Sequence, residues 1–195
     1  MSTHRPVVVP GERIYLSHLH KTDIPTLASW FSNLETTAYV GMQGRSFLVE
    51  HETEWYEHYS KFDERNYHYA VVARDGDTLI GNVSLMDIRR PHDRAELGIV
   101  IGDPAFWGKG YGREAIRLMC DYGFTFLNLH VIYLWYVSYN IRARKSYDAA
   151  GFIETGRIPE VRVFNHQRYD DVVMTLTRTQ FGQSTLTGKY GQLPI

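Results

Sequence analysis

One stretch restricts the possible folds more than any other. Residues 95–101 (Ala-Glu-Leu-Gly-Ile-Val-Ile) read as a strand. Residues 102–112 read as a loop with Pro104 and with glycines at 108, 110 and 112. Residues 112–127 read as a helix whose buried stripe is Ala115, Leu118, Met119, Tyr122 and Phe126. Alternating glycines let the backbone turn sharply and approach a ligand with no Cβ in the way. The helix aims its free N–H groups and the positive end of its dipole at the loop, which makes a ready site for phosphate or pyrophosphate. Lys109 and Arg113 add positive charge. The string Gly108-Lys109-Gly110-Tyr111-Gly112-Arg113 is neither a G-x-x-x-x-G-K-[ST] loop nor a G-x-G-x-x-G fingerprint in register.

The rest of the chain sets this unit in a mixed sheet. Residues 13–19 read as a strand, followed by a helix with Thr22 or Asp23 as cap, Pro25 in the first turn and Leu27, Trp30, Phe31 and Leu34 on one face. Residues 39–47, with Gly41 and Gly44, read as a loop. A second helix from about Glu50 carries Trp55, Tyr59 and Phe62 at helical spacing. Strands over 67–73 and 78–85 meet at Asp75-Gly76, and a polar turn fills 89–94. Residues 131–137 are continuously apolar, as in a central strand. Asn140 caps a helix that ends at Gly151, and strands over 152–164 and 169–177 flank Asn165-His166-Gln167. The order β-α-α-β-β-β-α-β-α-β-β predicts an α/β (α+β) domain over 1–177. Residues 178–195 are polar, hold three glycines, and read as a tail that is loose or tied to a partner subunit.

Composition narrows the class. With 44% hydrophobic and 22% charged residues, the 195-residue chain can bury a core, which excludes global disorder. Lys plus Arg (21) nearly balance Asp plus Glu (22), which argues against nucleic acid as a partner, although Arg89, Arg90 and Arg94 form a local basic patch. The single cysteine, Cys120, allows no intramolecular disulfide and no Cys-based zinc cluster; it reads as a buried, inert thiol. The longest apolar run, residues 131–137, falls short of the roughly 20 residues that span a bilayer, and residues 1–11 lack a signal-peptide pattern. A cytoplasmic protein with no membrane partner is expected. His18 and His20 have no third ligand in view, His130 reads as structural, and no metal is expected. Trp30, Trp55 and Trp135 read as core aromatics, with Trp30 and Trp55 able to border a pocket.

The loop Trp107-Gly-Lys-Gly-Tyr-Gly112 resembles the [Gln/Arg]-x-x-Gly-x-[Gly/Ala] loop of the GNAT superfamily of N-acetyltransferases, with Trp107 in place of Gln or Arg. Downstream, Asn140-Ile-Arg-Ala-Arg-Lys-Ser-Tyr147-Asp-Ala-Ala-Gly151-Phe152 is similar to the second family motif, which is Asn, a helix with Tyr seven residues on, then Gly-Phe. The stretch from Asp121 to Leu134 resembles the ribosomal-protein N-terminal and spermidine acetyltransferases. The resemblance covers residues 12–177 in element order and is sharpest over 94–152. It implies a GNAT-like, mostly antiparallel sheet of about seven strands flanked by about four helices.

The resemblance also implies a chemistry: acetyl-CoA as cosubstrate, with direct transfer to a primary amine in a ternary complex. Pantetheine would bond backbone groups of Ile99, Val100 and Ile101 like an added strand. The pyrophosphate would sit on Trp107, Gly108, Lys109, Gly110, Tyr111, Gly112 and Arg113. Asn140 and Lys145 would also reach the coenzyme, Lys145 being favoured over Arg142 and Arg144. Tyr147 is the expected general acid for the departing thiolate, and Glu96 the candidate base through water; the bland alternative for Glu96 is solvent or a pair with Arg94.

Acceptor sites in relatives use the first two helices and the late hairpin, here residues 33–56 and 162–171. Glu50, Glu52, Glu54 and Glu57 spread over several helix faces, and residues 36–47 contain no acid. A protein N-terminal amine, of the ribosomal-protein type, is therefore the first expectation. The alternatives are a small-molecule amine (polyamine or antibiotic) and a catalytically silent acetyl-CoA sensor. Relatives are often dimers, and the aromatic-rich last strands could serve a homodimer.

Overall fold

The computed structural model describes residues 5–42, 44–61, 63–182 and 184–186. Phe62 and residues 187–195 lie outside them. The chain runs β1 (Val9–Pro10), β2 (Ile14–Ser17), α1 (Ile24–Phe31), α2 (Leu34–Tyr39), α3 (Val49–Tyr59), β3 (Tyr67–Ala73) and β4 (Thr78–Arg89). It continues through β5 (Arg94–Ile101), α4 (Tyr111–Thr125), β6 (Val131–Val137), α5 (Ile141–Ala150), β7 (Ile153–Phe164), β8 (Gln167–Thr177) and α6 (Arg178–Phe181). All eight strands form one sheet in the order β1-β2-β3-β4-β5-β6-β8-β7. Every pairing is antiparallel except β5 with β6. The architecture is the mixed α/β fold expected, with one strand and two helices more than expected.

Strand alternation sorts the two faces of the sheet. A Cβ built on Gly123 of α4 would meet Leu85, Leu129 and Ile132, so α4 rides on the face that carries Leu85 and Ile132. Ala115, Met119 and Cys120 of α4 are fully buried there. The opposite face presents His68, Ser84 and Gly98, which are cross-strand partners in register. Over it lie α1 and α3, with Trp55 of α3 in ring contact with His68.

Four local expectations change. Residues 34–39 form α2, because Asn33 caps it by accepting from the Glu35 N–H at 2.8 Å. Asp23 does not cap α1 with its carboxylate, which instead takes the Arg5 guanidinium and the His20 N–H. Phe126 closes the α4 stripe in sequence but is 48% exposed, stacked on the Tyr122 ring. Trp135 is 43% exposed, because alternation along β6 turns it away from the α4 face that Ile132, Leu134 and Tyr136 occupy or approach. Trp30 is buried as expected.

The segment after Thr177 is tied down as far as it is described. Arg178 donates to the Leu129 carbonyl at 2.6 Å through Nη2. The buried Asp121 carboxylate accepts from Thr185 N, Thr185 Oγ1 and Leu186 N at 2.8, 2.8 and 3.1 Å. Leu186 is 2% exposed against the core.

Candidate active site

The site begins where two strands part. Pairing of β5 with β6 covers only Arg94–Glu96 against Val131–Tyr133. Beyond it β5 stays on β4 as far as Ile101↔Gly81, while β6 stays on β8. A gap opens along the β6-facing edge of β5. Backbone groups alternate in direction along a strand. Gly102 N–H donates toward β4, to Ile80 O at 2.9 Å, whereas Ile101 O faces away from β4 and accepts from Trp107 Nε1 at 2.5 Å. The backbone of Ile99 and Ile101 therefore faces the gap, with the Ile101 carbonyl already engaged. Val100 is different: its carbonyl faces β4, only 2.1 Å from where a Cβ on Gly81 would stand. Val100 thus reaches the cavity with its side chain alone, a correction to its expected backbone role.

The glycine loop follows. Gly108 and Gly110 take left-handed conformations (φ 70° and 85°), and a Cβ on Gly108 would point into open space. Gly110 is the N-cap of α4. Behind the loop, Arg13 Nη1 donates to Lys109 O at 2.9 Å, and Arg13 Nε donates to Glu114 Oε2 at 3.1 Å. Glu114 Oε1 also accepts the N–H groups of Glu12 and Arg13, both at 2.9 Å. This brace was not legible in sequence because its partners lie about a hundred residues apart. Trp107, Gly108, Lys109, Gly110, Gly112 and Arg113 line the cavity. Tyr111 does not line it: its ring packs on Phe106 and lies under the Arg13 guanidinium at 4.7 Å.

Across the gap stands α5. Asn140 Oδ1 caps it by accepting from Ala143 N–H at 3.0 Å, and Nδ2 donates to Tyr39 O at 2.8 Å. The amide therefore joins α5 to α2, and its N–H is engaged by protein. Lys145 is exposed on the cavity wall. Arg144 turns away to Asp148, Glu154 and the Tyr136 hydroxyl. Arg142 sits over the ring of Trp107 at 3.8 Å and that of Tyr39 at 4.6 Å. Tyr147 lines the cavity at 8% exposure, and burial raises its pKa well above that of a free phenol.

These groups share one cavity of about 1120 Å³. Its other end lies between α2, α3 and the β3–β5 face. Glu96 lines it, and burial raises the carboxyl pKa, partly offset by the Tyr133 hydroxyl. The expected alternative pairing with Arg94 is not formed; that guanidinium lies over the Tyr133 ring at 5.4 Å. Glu52 of α3 lines the same space at 7% exposure, and burial raises its pKa too. Among the described residues neither Glu52 nor Glu96 has an ion-pair partner. The acids at 50, 54 and 57 are exposed.

The floor carries polar groups that sequence reasoning passed over. His68 Nδ1 lies 2.6 Å from Ser84 Oγ, and burial lowers the His68 pKa to about 4, so the ring is neutral at pH 7. Thr36 Oγ1, His68 Nε2 and Asn82 Oδ1 are buried with no hydrogen-bond partner among the described residues, and all three residues line the cavity. The alternation Asn82-Val83-Ser84-Leu85 carried the signal, but it reads equally as a face turned to water. Cys120 is fully buried, and burial raises its thiol pKa. Among the described residues no group of three or more His, Cys, Asp or Glu is placed to hold a metal ion. No described helix is long and apolar enough to cross a membrane.

Comparison with known proteins agrees with this geometry. Residues 13–153 match the acetyltransferase (GNAT) domain family. A spermidine N(1)-acetyltransferase of Vibrio cholerae is 40% identical over 117 residues, 60% of this chain and 66% of that enzyme. The Escherichia coli K12 spermidine N(1)-acetyltransferase is 31% identical over 180 residues, 92% of this chain and 90% of its own length. The crystal structure of the Vibrio cholerae spermidine N-acetyltransferase with CoA and spermine superposes with a TM-score of 0.79 at 28% identity, covering 89% of this chain and all of that one. The parted strands, the glycine loop and these matches lead to one conclusion: the chain belongs to the GNAT superfamily and is an acetyl-CoA-dependent N-acetyltransferase.

Proposed function

We propose that the acceptor is a polyamine, acetylated on a primary amine by direct attack. The observation that carries this reading is that Glu52 and Glu96 line one cavity and neither has an ion-pair partner among the described residues. A buried carboxylate is costly without a counter-charge, and a chain of amines brings several. The matched spermidine acetyltransferases support the same class. The acid-free loop that favoured a protein N-terminus is not where the carboxylates stand: they come from α3 and β5. The N-terminal peptide thus yields first place to the small-molecule amine.

The residues present fit acetyl-CoA: a free strand edge for pantetheine and an open, positively flanked loop for phosphates. Bound there, acetyl-CoA supplies an activated thioester. The gap-facing N–H groups of Ile99 and Ile101 act as donors toward the coenzyme's amides and the acetyl oxygen. Tyr147, kept protonated by burial, donates toward the sulfur. Glu96, whose basicity burial raises, takes a proton from the incoming ammonium through water, and Glu52 holds the distal charge of the acceptor. Lys109, Arg113 and Lys145 draw the phosphates.

The test is thiol release from acetyl-CoA with spermidine, spermine, and peptides bearing free Ser, Ala or Met N-termini. Spermidine and spermine should exceed every peptide in kcat/KM by about tenfold or more, the equivalent of one lost charged contact. Turnover confined to the peptides would refute the proposal.

A further inference from the structure

The glycine loop opens with an indole, Trp107, which brings no charge to the coenzyme. A guanidinium nevertheless stands at that point. Arg142, on the first turn of α5, lies 3.8 Å from the centre of the Trp107 ring and 4.6 Å from that of Tyr39. Among the described residues its guanidinium makes no ion pair or hydrogen bond, and the Glu35 carboxylate acts on it only as a more distant charge. Arg142 lines the same cavity as Gly108, Lys109 and Lys145. Its neighbours on α5 behave differently: Arg144 is held by Asp148 and Glu154, and Lys145 is exposed.

We propose that Arg142 is an anion-binding residue of the coenzyme site, holding a phosphate of CoA from a seat on the face of Trp107. Aromatic faces fix a guanidinium by its plane and leave its edge N–H groups free. Those N–H groups match phosphate oxygens in geometry and charge. The seat thus keeps the donor fork presented before the ligand arrives, which lowers the ordering cost of binding. Tyr39 belongs to α2, so the same side chain joins the coenzyme loop to the acceptor end of the cavity. CoA carries two phosphate groups of this chemistry, the pyrophosphate and the 3′-phosphate, and the experiment separates them. The inference rests on the acetyl-CoA reading above.

The experiment compares wild type, Arg142→Gln and Arg142→Lys by calorimetric titration with CoA and 3′-dephospho-CoA. Steady-state turnover follows with acetyl-CoA and with S-acetylpantetheine, which has no phosphate. Arg142→Gln should raise the Kd for CoA about tenfold or more and leave kcat/KM for S-acetylpantetheine at the wild-type value. Arg142→Lys, which keeps the charge and loses the planar fork, should recover part of the affinity. An equal loss with 3′-dephospho-CoA assigns the contact to the pyrophosphate; a loss seen only with CoA assigns it to the 3′-phosphate. Unchanged CoA affinity in Arg142→Gln would overturn the proposal. So would an equal loss with S-acetylpantetheine, because the cation–π seat would then serve the fold alone. Failure of the wild type to bind CoA would instead bring down the coenzyme reading itself.

Discussion

The indole N–H of Trp107 donates to the carbonyl oxygen of Ile101 at 2.5 Å. This bond ties the first residue of the glycine loop to the last residue of β5, so the phosphate cradle and the strand edge move as one unit. Trp107→Phe keeps a ring beneath Arg142 and removes the donor. A lost neutral hydrogen bond is worth about 1 kcal/mol. The Kd for CoA should rise several-fold while the KM for spermidine stays level. Titration calorimetry checks this, and an unchanged Kd would show that the loop needs no such tie.

Tyr147→Phe should lower kcat by about 10²-fold or more with CoA affinity preserved. Burial raises the phenol's pKa, so the proton stays on Tyr147 beyond the ordinary tyrosine range. The wild-type kcat should therefore show no alkaline loss from this residue up to about pH 10. Stopped-assay rates across pH 6–10 read both effects.

Glu96→Gln bears on the acid limb. Burial raises the carboxyl pKa, so the base form is lost at a pH above the usual glutamate value of about 4.3. The kcat/KM of the wild type should fall as pH drops through that raised pKa. In the Gln variant it should be low and flat over the same window. A wild-type profile in the variant would exclude Glu96 as the base.

Glu52→Gln separates binding from stability. The folded-state pKa of Glu52 lies above its unfolded value, so the folded chain holds the proton more tightly. Stability from this group is full at low pH and is lost as pH rises from about 4.3 through the raised folded pKa. At pH 7 the ligand-free Gln variant should melt higher, by about 2–4 °C for a release of about 1 kcal/mol. Spermidine should raise the Tm of the wild type and not of the variant, and the variant's spermidine KM should rise. Thermal melts at pH 5 and pH 7 test the sign.

How far the sequence carried depends on how local each feature is. The loop at 107–112, the Asn140 cap and Tyr147 before Gly151-Phe152 are fixed by short-range pattern, and the structure brings them to one cavity. Glu52 could not be separated from the acids at 50, 54 and 57, because only the packing of α3 on β3 decides which face of that helix is closed off. His68 and Ser84 carry no signal that marks a site in the sequence, and form the floor of a cavity only because α3 covers them. Inside the same motif, helix phase turns the Tyr111 ring to Phe106 and Arg13, and the pleat turns the Val100 carbonyl, though not its side chain, to β4. The two-residue β1 and the six-residue α2 are too short to show a period of their own.

A coenzyme along β5 and a polycation at Glu52 would share one continuous cavity. A crystal structure with CoA and spermidine tests this most directly. It should show pantetheine beside Ile99 and Ile101, and a spermidine nitrogen within about 3 Å of the Glu52 carboxylate. Spermidine found only outside this cavity, with Glu52 still unpaired, would contradict it.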